Sequence, residues 1–237
     1  MDVILVSYAK NKKLKKITEC AVKSIDKKHN IIIIESNPNA RYKNTTTIYP
    51  KFSFNYNKYL NMGAKSGSNE FIFFGNNDLI FEKSWDVELQ RGMLEYSLSS
   101  ASPICLNTHS KFGIYQNTGV LFGYDVYIFF CGWAFVWQRS LYEKMGGLDE
   151  TFNFWCSDNA VINQLKKDNI KHGLVTSSIV HHLNGGGNTL NYVRLSEMKS
   201  YTLNEIKKYN RLYNANLQIE NTWELPDKLK KELFPEK

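Results

Sequence analysis

The stretch Phe71-Ile-Phe-Phe-Gly75-Asn76-Asn77-Asp78 ends an apolar run on two amides and one carboxylate, and apolar residues resume at Leu79-Ile-Phe81. A run that is hydrophobic on both faces reads as a buried, parallel strand. Such a strand delivers the Asp78 carboxylate to the carboxyl edge of a sheet, where open α/β folds bind their ligands. A single Asp there suits a divalent cation held against substrate phosphates, because Mg²⁺ and Mn²⁺ take oxygen ligands and need only one or two from protein. The plainer alternative is an Asn/Asp turn after a strand.

Charge is the second chemical signal. The formal net charge is +7. Lys10, Lys12, Lys13, Lys15, Lys16, Lys23, Lys27 and Lys28 crowd the N-terminal region against Asp2, Glu19 and Asp26. A solvated helix face explains such a run; attraction of a phosphorylated donor, an anionic membrane surface or a nucleic acid are the functional alternatives.

The elements that must position these groups alternate along the chain. Strands are expected at Val3–Ser7, Ile31–Ile34, Thr45–Tyr49, Phe71–Phe74, Tyr127–Gln138 and Val175–His182. Helices are expected at Lys13–Ile25, Asn55–Ser66 (with Tyr59, Met62, Gly63 and Ala64 facing inward), Trp85–Ser97 and Ser157–Lys167, with a turn at Leu141–Met145 closed by Gly146-Gly147. This order predicts an α/β fold with a parallel, doubly wound sheet and right-handed crossovers. From residue 102 to 127 short strands and loops are expected. Residues 1–189 form the expected main domain and 190–237 a helical C-terminal extension interrupted near its end by Pro226 and Pro235.

Composition narrows the class. A hydrophobic content of 43% with 14% aromatics describes a globular chain. The first residues read as a strand without a basic leader, so no signal peptide is expected. The longest apolar run, Val126–Trp137, is broken at Cys131-Gly132 and falls short of a membrane span. Cys20, Cys105, Cys131 and Cys156 have no metal or redox spacing, which suggests buried, reduced thiols in a cytoplasmic protein.

Seven segments in order, from Val3 to about Asn188, resemble a GT-A-fold glycosyltransferase of the family-2 type, with its Rossmann-like, mostly parallel sheet flanked by helices. Val3-Ile-Leu-Val-Ser7-Tyr8 resembles the opening strand and nucleotide-contacting turn. Ile31–Asn37 resembles the second strand, ending here in Glu35 where the family has Asp. Asn57-Lys-Tyr-Leu-Asn61-Met-Gly63 resembles the following helix, and Asn76-Asn77-Asp78 stands where the Asp-x-Asp metal motif belongs. Met145-Gly-Gly-Leu-Asp149-Glu150-Thr-Phe152 resembles the segment lining the acceptor site. Trp155-Cys-Ser157-Asp158 matches the Glu-Asp motif that supplies the base, with Ser157 in place of Glu. Ile179-Val-His181-His182, with the glycine loop Asn184–Asn188, resembles the strand end that carries a metal-binding His.

The resemblance implies a metal-dependent inverting glycosyltransferase (EC 2.4 class) that uses a nucleotide sugar, a UDP-sugar first, with Mn²⁺ or secondarily Mg²⁺. It implies metal ligation by Asp78 and by His181 or His182, and donor contacts from Ser7, Tyr8, Glu35, Asn61, Asn76 and Asn77. Asp149, Glu150 and Trp155 fall on the acceptor side. Asp158 is the expected general base, ionised at neutral pH because it stands at a helix N-terminus; as an alternative it caps that helix. Asp149 and Glu150 are the fallback carboxylates. Lys58 could approach the diphosphate, and Trp133, Trp137 and Trp155 could stack on a sugar or base, with core packing preferred for Trp137. The expected acceptor is a polysaccharide or glycoconjugate, with peripheral membrane contact possible. The other function classes are a transferase acting on a hydroxymethylated base in DNA, which must be exposed or flipped, and a non-catalytic binding relic of the fold.

Overall fold

A computed structural model describes residues 1–183 and 195–218. The strands are β1 (Asp2–Ser7), β2 (Asn30–Glu35), β3 (Thr46–Ile48), β4 (Phe71–Asn76), β5 (Leu79–Phe81), β6 (Ser100–Ile104), β7 (Val120–Phe122), β8 (Ala134–Gln138) and β9 (His172–His182). The helices are α1 (Lys12–Ser24), α2 (Tyr56–Ser66), α3 (Trp85–Glu95), α4 (Leu106–His109), α5 (Arg139–Lys144), α6 (Ser157–Lys167) and α7 (Leu195–Tyr213). The strands form one sheet in the order β3-β2-β1-β4-β8-β6-β9-β5, with β7 also paired to β9.

The half from β3 to β4 is parallel throughout. Beyond it, β8 runs antiparallel between β4 and β6, and β6 is parallel to β9. The expected doubly wound α/β architecture is therefore present, with β8 inserted in the reverse sense. The expected strand over Tyr127–Gln138 is also shorter than predicted and begins at Ala134. Residues 127–133 form a turn, because the Asp125 carbonyl accepts from the N–H groups of Ile128, Phe129 and Phe130 and Tyr127 has φ +70°.

Strand periodicity sorts the core into two layers. Val3, Leu5, Ile31, Ile33, Phe71, Phe73 and Val136 face one way and pack with Trp85, Leu89 and Met93 of α3. Ile4, Ile32, Ile72, Phe74, Phe135 and Trp137 face the other way, against Leu60 and Ala64 of α2 and Val161 and Leu165 of α6. Trp137 is a core residue, as expected. α1 starts at Asn11, whose side chain accepts from Leu14 N–H, and buries Leu14, Thr18 and Ala21 while most of its lysines face solvent. α7 packs Ile206 and Tyr209 on Phe152, Cys156 and Ala160, so the described part of the expected C-terminal extension lies against α6. The loop Asn184–Asn188 and the prolines at 226 and 235 lie outside the described residues. Among the described residues no helix is long and apolar enough to cross a membrane, and all four cysteines are free.

α2 approaches β1 closely because position 63 has no side chain: a Cβ on Gly63 would lie 2.4 Å from Ile4 Cγ2. Gly63→Val is expected to lower stability by about 1–3 kcal/mol through overpacking, measured by urea denaturation. Lys65→Val on the exposed side of the same helix is the control, and should change stability by no more than about 0.5 kcal/mol.

Candidate active site

The antiparallel pairing of β4 and β8 brings the end of one strand to the start of the other. Asn76 N–H donates to the Trp133 carbonyl at 3.0 Å. One residue past Asn77 the chain turns into β5, which pairs antiparallel with the end of β9 in the register Leu79 with His182. Leu183 N–H donates to the Asp78 carbonyl at 2.8 Å and closes this corner. Asp78 Oδ1 and His182 Nε2 are 3.1 Å apart, with the residues 5% and 8% exposed.

The rest of the corner holds the imidazole still. Trp133 stacks on His182 with ring centroids 4.9 Å apart and planes 15° from parallel. Asn76 Nδ2 is 3.5 Å from His182 Nε2, and His182 N–H donates to Cys105 Sγ at 3.4 Å. Behind Trp133, His109 Nε2 is 3.5 Å from Cys131 Sγ. Burial lowers the His109 pKa and raises that of Cys131 well above the usual thiol range, so this pair is a neutral support. His181 points elsewhere, as strand alternation requires, and sits 2.6 Å from Glu82 Oε1.

Asp158 reaches the same turn from α6. A Cβ on Gly132 would lie 2.7 Å from Asp158 Cβ and 3.0 Å from its Oδ2, so the carboxylate packs directly on the main chain just before Trp133. Asp158 lies within the first turn of α6, with Cys156 at the N-cap, and its Oδ1 accepts from Asn159 N–H at 2.9 Å. Asp158 is half-buried, and desolvation raises its pKa to about 6, outweighing the lowering by that hydrogen bond. The expectation that the helix terminus would hold this pKa down is therefore corrected. Asp158 remains mostly ionised at pH 7, but with much greater proton affinity than an ordinary carboxylate.

Several expected donor contacts are engaged within the protein. Glu35 is fully buried; its Oε1 accepts from Ala9 and Asn37 N–H at 3.0 and 2.7 Å, and its Oε2 from Tyr42 OH at 2.5 Å. Ser7 Oγ is 3.2 Å from Tyr42 OH and 3.0 Å from Thr18 Oγ1, and Asn77 Nδ2 donates to Thr18 Oγ1 at 2.7 Å. Glu35, Tyr42, Ser7, Thr18 and Asn77 thus form one polar chain that sets the turns after β1, β2 and β4. Tyr8 is exposed beside this chain, with Lys10 Nζ 4.8 Å from its ring centroid.

The segment expected on the acceptor side is held by a row of asparagines on and beside α2. Asn61 Oδ1 accepts from Leu148 N–H at 2.9 Å, while its Nδ2 donates to the Leu148 carbonyl and to Glu150 Oε1 at 2.8 and 2.9 Å. Asn57 Nδ2 donates to the Asp149 and Ser157 carbonyls, and Asn55 Nδ2 to that of Glu150. Gly147 has φ +100°, which disfavours any side chain, and a Cβ there would lie 3.1 Å from Asn61 Oδ1. Asp149 accepts from Thr151 N–H and from Tyr213 OH. Trp155 is nine-tenths buried, with its ring 5.3 Å from that of Phe154. Lys58 is exposed, its Nζ 4.4 Å from the centroid of the Phe52 ring.

Tyr56 escaped sequence reading, where it was one aromatic among many. Its hydroxyl donates to Asn76 Oδ1 at 2.7 Å and to the Gly132 carbonyl at 3.3 Å, tying α2 to the corner. Gly132 had registered only as a break in an apolar run. α1, which carries most of the N-terminal lysines, meets the corner through Thr18, which accepts from Asn77 Nδ2, and Ser24, whose Oγ accepts from Phe81 N–H. Lys15, Lys23 and Lys27 join Arg41 and Lys43 around a cleft of about 1060 Å³ between α1 and the loop after β2. Within this basic region Lys15 pairs with Glu19 and Lys28 with Asp86, while Arg41 donates to main-chain carbonyls.

The residues present fit a divalent cation in one way. Among the described residues no three of His, Cys, Asp and Glu converge on a metal position. Asp78 and His182 nonetheless offer one oxygen and one nitrogen 3.1 Å apart. That spacing would let the two side chains share one divalent cation, which needs only one or two ligands from protein.

No protein-family model matches the chain, and no curated protein matches it. Among solved structures it is similar to the mannosyltransferase PcManGT from Pyrobaculum calidifontis in complex with GDP-Man and Mn²⁺, with a TM-score of 0.58 at 11% identity. The match covers 89% of this chain and 64% of that one, so this chain spans less than two thirds of its length. The chain thus shares its fold with that protein: a mixed, Rossmann-like α/β sheet with a parallel half and helices on both faces.

Asn61 discriminates a donor contact from a structural clamp. Asn61→Ala is expected to lower stability by about 1–3 kcal/mol, since it strands the buried Leu148 N–H and carbonyl, and to leave affinity for GDP and UDP unchanged. Calorimetric unfolding and nucleotide titration check both; loss of nucleotide affinity at unchanged stability would return Asn61 to the donor site.

Proposed function

We propose that this protein is a metal-assisted, inverting glycosyltransferase that moves a sugar from a nucleotide-sugar donor to a hydroxyl of a glycan or glycoconjugate. The observation that carries the reading is the turn at Gly132-Trp133, which touches both the Asp78–His182 pair, through Trp133, and the high-pKa carboxylate of Asp158. The shared fold supports it, as does the nucleotide sugar and Mn²⁺ held by PcManGT.

Breaking the bond between sugar and phosphate leaves a diphosphate whose charge must be neutralised. A divalent cation held by Asp78 and His182 would supply that neutralisation, and the mixed oxygen and imidazole set favours Mn²⁺ over Mg²⁺. Asn76, oriented by Tyr56, lies alongside to hydrogen-bond the donor without adding negative charge. Asp158 takes the proton of the acceptor hydroxyl as that oxygen attacks the anomeric carbon opposite the departing phosphate. Its surroundings give it the affinity to do so near neutral pH. With Mn²⁺, a panel of UDP- and GDP-sugars should yield thermal stabilisation and slow hydrolysis for at least one donor; no response to any donor overturns the reading.

The metal assignment separates adjacent histidines. Asp78→Ala and His182→Ala are expected to abolish the Mn²⁺-dependent part of nucleotide binding, and His181→Ala to preserve it, as followed by calorimetric titration. Equal losses in both histidine variants would defeat the assignment.

Asp158 carries a pH signature with a defined sign. The base works deprotonated, so kcat/KM should fall tenfold per pH unit below about pH 6. Asp158→Asn should reduce transfer by about 10²-fold or more. Because the folded pKa lies above the ordinary carboxylate value of 3.8, ionised Asp158 opposes folding above about pH 6, and this burden fades as pH falls through 6 toward 3.8. Asp158→Asn should therefore unfold at a higher temperature than wild type at pH 7.5, with the difference vanishing near pH 3.5. Wild-type turnover in this variant would redirect attention to Asp149 and Glu150.

A further inference from the structure

The N–H groups of Asn153, Phe154 and Trp155 converge on one side chain, the Glu205 carboxylate of α7. Asn153 donates to Oε1 at 2.5 Å, and Phe154 and Trp155 donate to Oε2 at 3.1 and 2.6 Å. Successive N–H groups turned to one side form an anion-binding concavity. Here the chain fills it with its own carboxylate, 6% exposed and 50 residues beyond Trp155.

The concavity stands directly before α6. Cys156, the N-cap, makes no side-chain capping bond, so the entry to this helix is secured from outside it. The hold passes along the chain by short steps. Ser157 donates both its N–H and its hydroxyl to the Phe154 carbonyl, at 3.3 and 2.6 Å, and the next residue is Asp158. Other contacts from α7 run parallel to this one: Tyr213 OH to Asp149, Lys208 Nζ to the Thr151 carbonyl, and Tyr209 OH from Asn163 Nδ2.

We propose that Glu205 is a positioning residue that fixes the turn 153–157 and so sets where the Asp158 carboxylate rests against Gly132. The proposal rests on the reading of Asp158 as the base. Glu205 itself touches no reacting group; a carboxylate in this concavity satisfies three N–H groups, that of Trp155 buried, and pins one end of α6 to the last described helix. Cys156 and Tyr209 are the titratable groups that face Asp158, and burial raises both, keeping them neutral at physiological pH.

The test uses the full chain with Glu205→Gln, which preserves shape, and Glu205→Asp, which preserves charge. Turnover is read as Mn²⁺-dependent hydrolysis of GDP-mannose and UDP-glucose, and the Asp158 carboxyl is titrated directly by ¹³C NMR. In Glu205→Gln, kcat is expected to fall between about 10- and 10²-fold at unchanged donor KM, the cost of a small misplacement. The Asp158 midpoint should move down from about 6 as its carboxylate gains solvent, and the amides of residues 153–155 should exchange faster. Glu205→Asp should recover part of each effect. Wild-type turnover with an unmoved Asp158 titration in Glu205→Gln overturns the proposal, as does a loss that only tracks the fraction of unfolded protein. Wild-type turnover in Asp158→Asn would instead remove its premise, and the two failures are told apart by the NMR titration, which needs no catalysis.

Discussion

The reversed direction of β8 is the constraint on which the site depends. Had β8 run parallel to β4, its amino end would lie at the far edge of the sheet, away from Asn76. Running antiparallel, it hands the residues before it to the carboxyl end of β4, and the bond from Asn76 N–H to the Trp133 carbonyl marks the join. Trp133 then lies flat on His182, and Gly132 meets Asp158. One strand direction thus gathers residues from β4, β9 and α6 that are far apart in the chain.

Buried polar chemistry keeps these pieces in register. A carboxylate such as Glu35 is costly to bury unless its oxygens are met by donors. Ala9, Asn37 and Tyr42 meet them, and the same network reaches Ser7, Thr18 and Asn77. The asparagines at 55, 57 and 61 do comparable work on the segment 147–157, where a turn needs its main-chain groups satisfied. In both places residues that resemble ligand contacts serve first to shape the loops that would make them.

Much of the fold was legible because it is written in local periodicity. Residues 71–74 and 31–34 are apolar at every position, which suits only strands covered on both faces, and α6 runs from Ser157 to Lys167 as its pattern predicts. The direction of β8 was not legible: it depends on pairing with residues 59 to 67 positions away in sequence, and the aromatic run before it looks like more strand until Asp125 draws its N–H groups into a turn. The corner itself was half legible. Asp78 and the two histidines stand out by type, but the register of β5 on β9 decides which imidazole faces the carboxylate. The Asp158 pKa was misjudged because sequence reveals the helix end and conceals the burial. The roles of Tyr56 and Glu205 arise from tertiary contacts with no local signature.

Chain order gives the arrangement of β9 a consequence for synthesis. β9 completes the sheet by pairing with β5, β6 and β7, and 106 residues separate Asn76 from His182. Non-local pairing of this kind slows folding, because loop closure must precede the contacts that reward it. On the ribosome the first parallel strands can associate early, while the corner stays unmade until β9 has emerged and the entry to α6 stays loose until α7 follows. A chain interrupted before that point would hold most of its hydrophobic layers without the Asp78–His182 corner, so the candidate site is completed only by the last described elements to be synthesised.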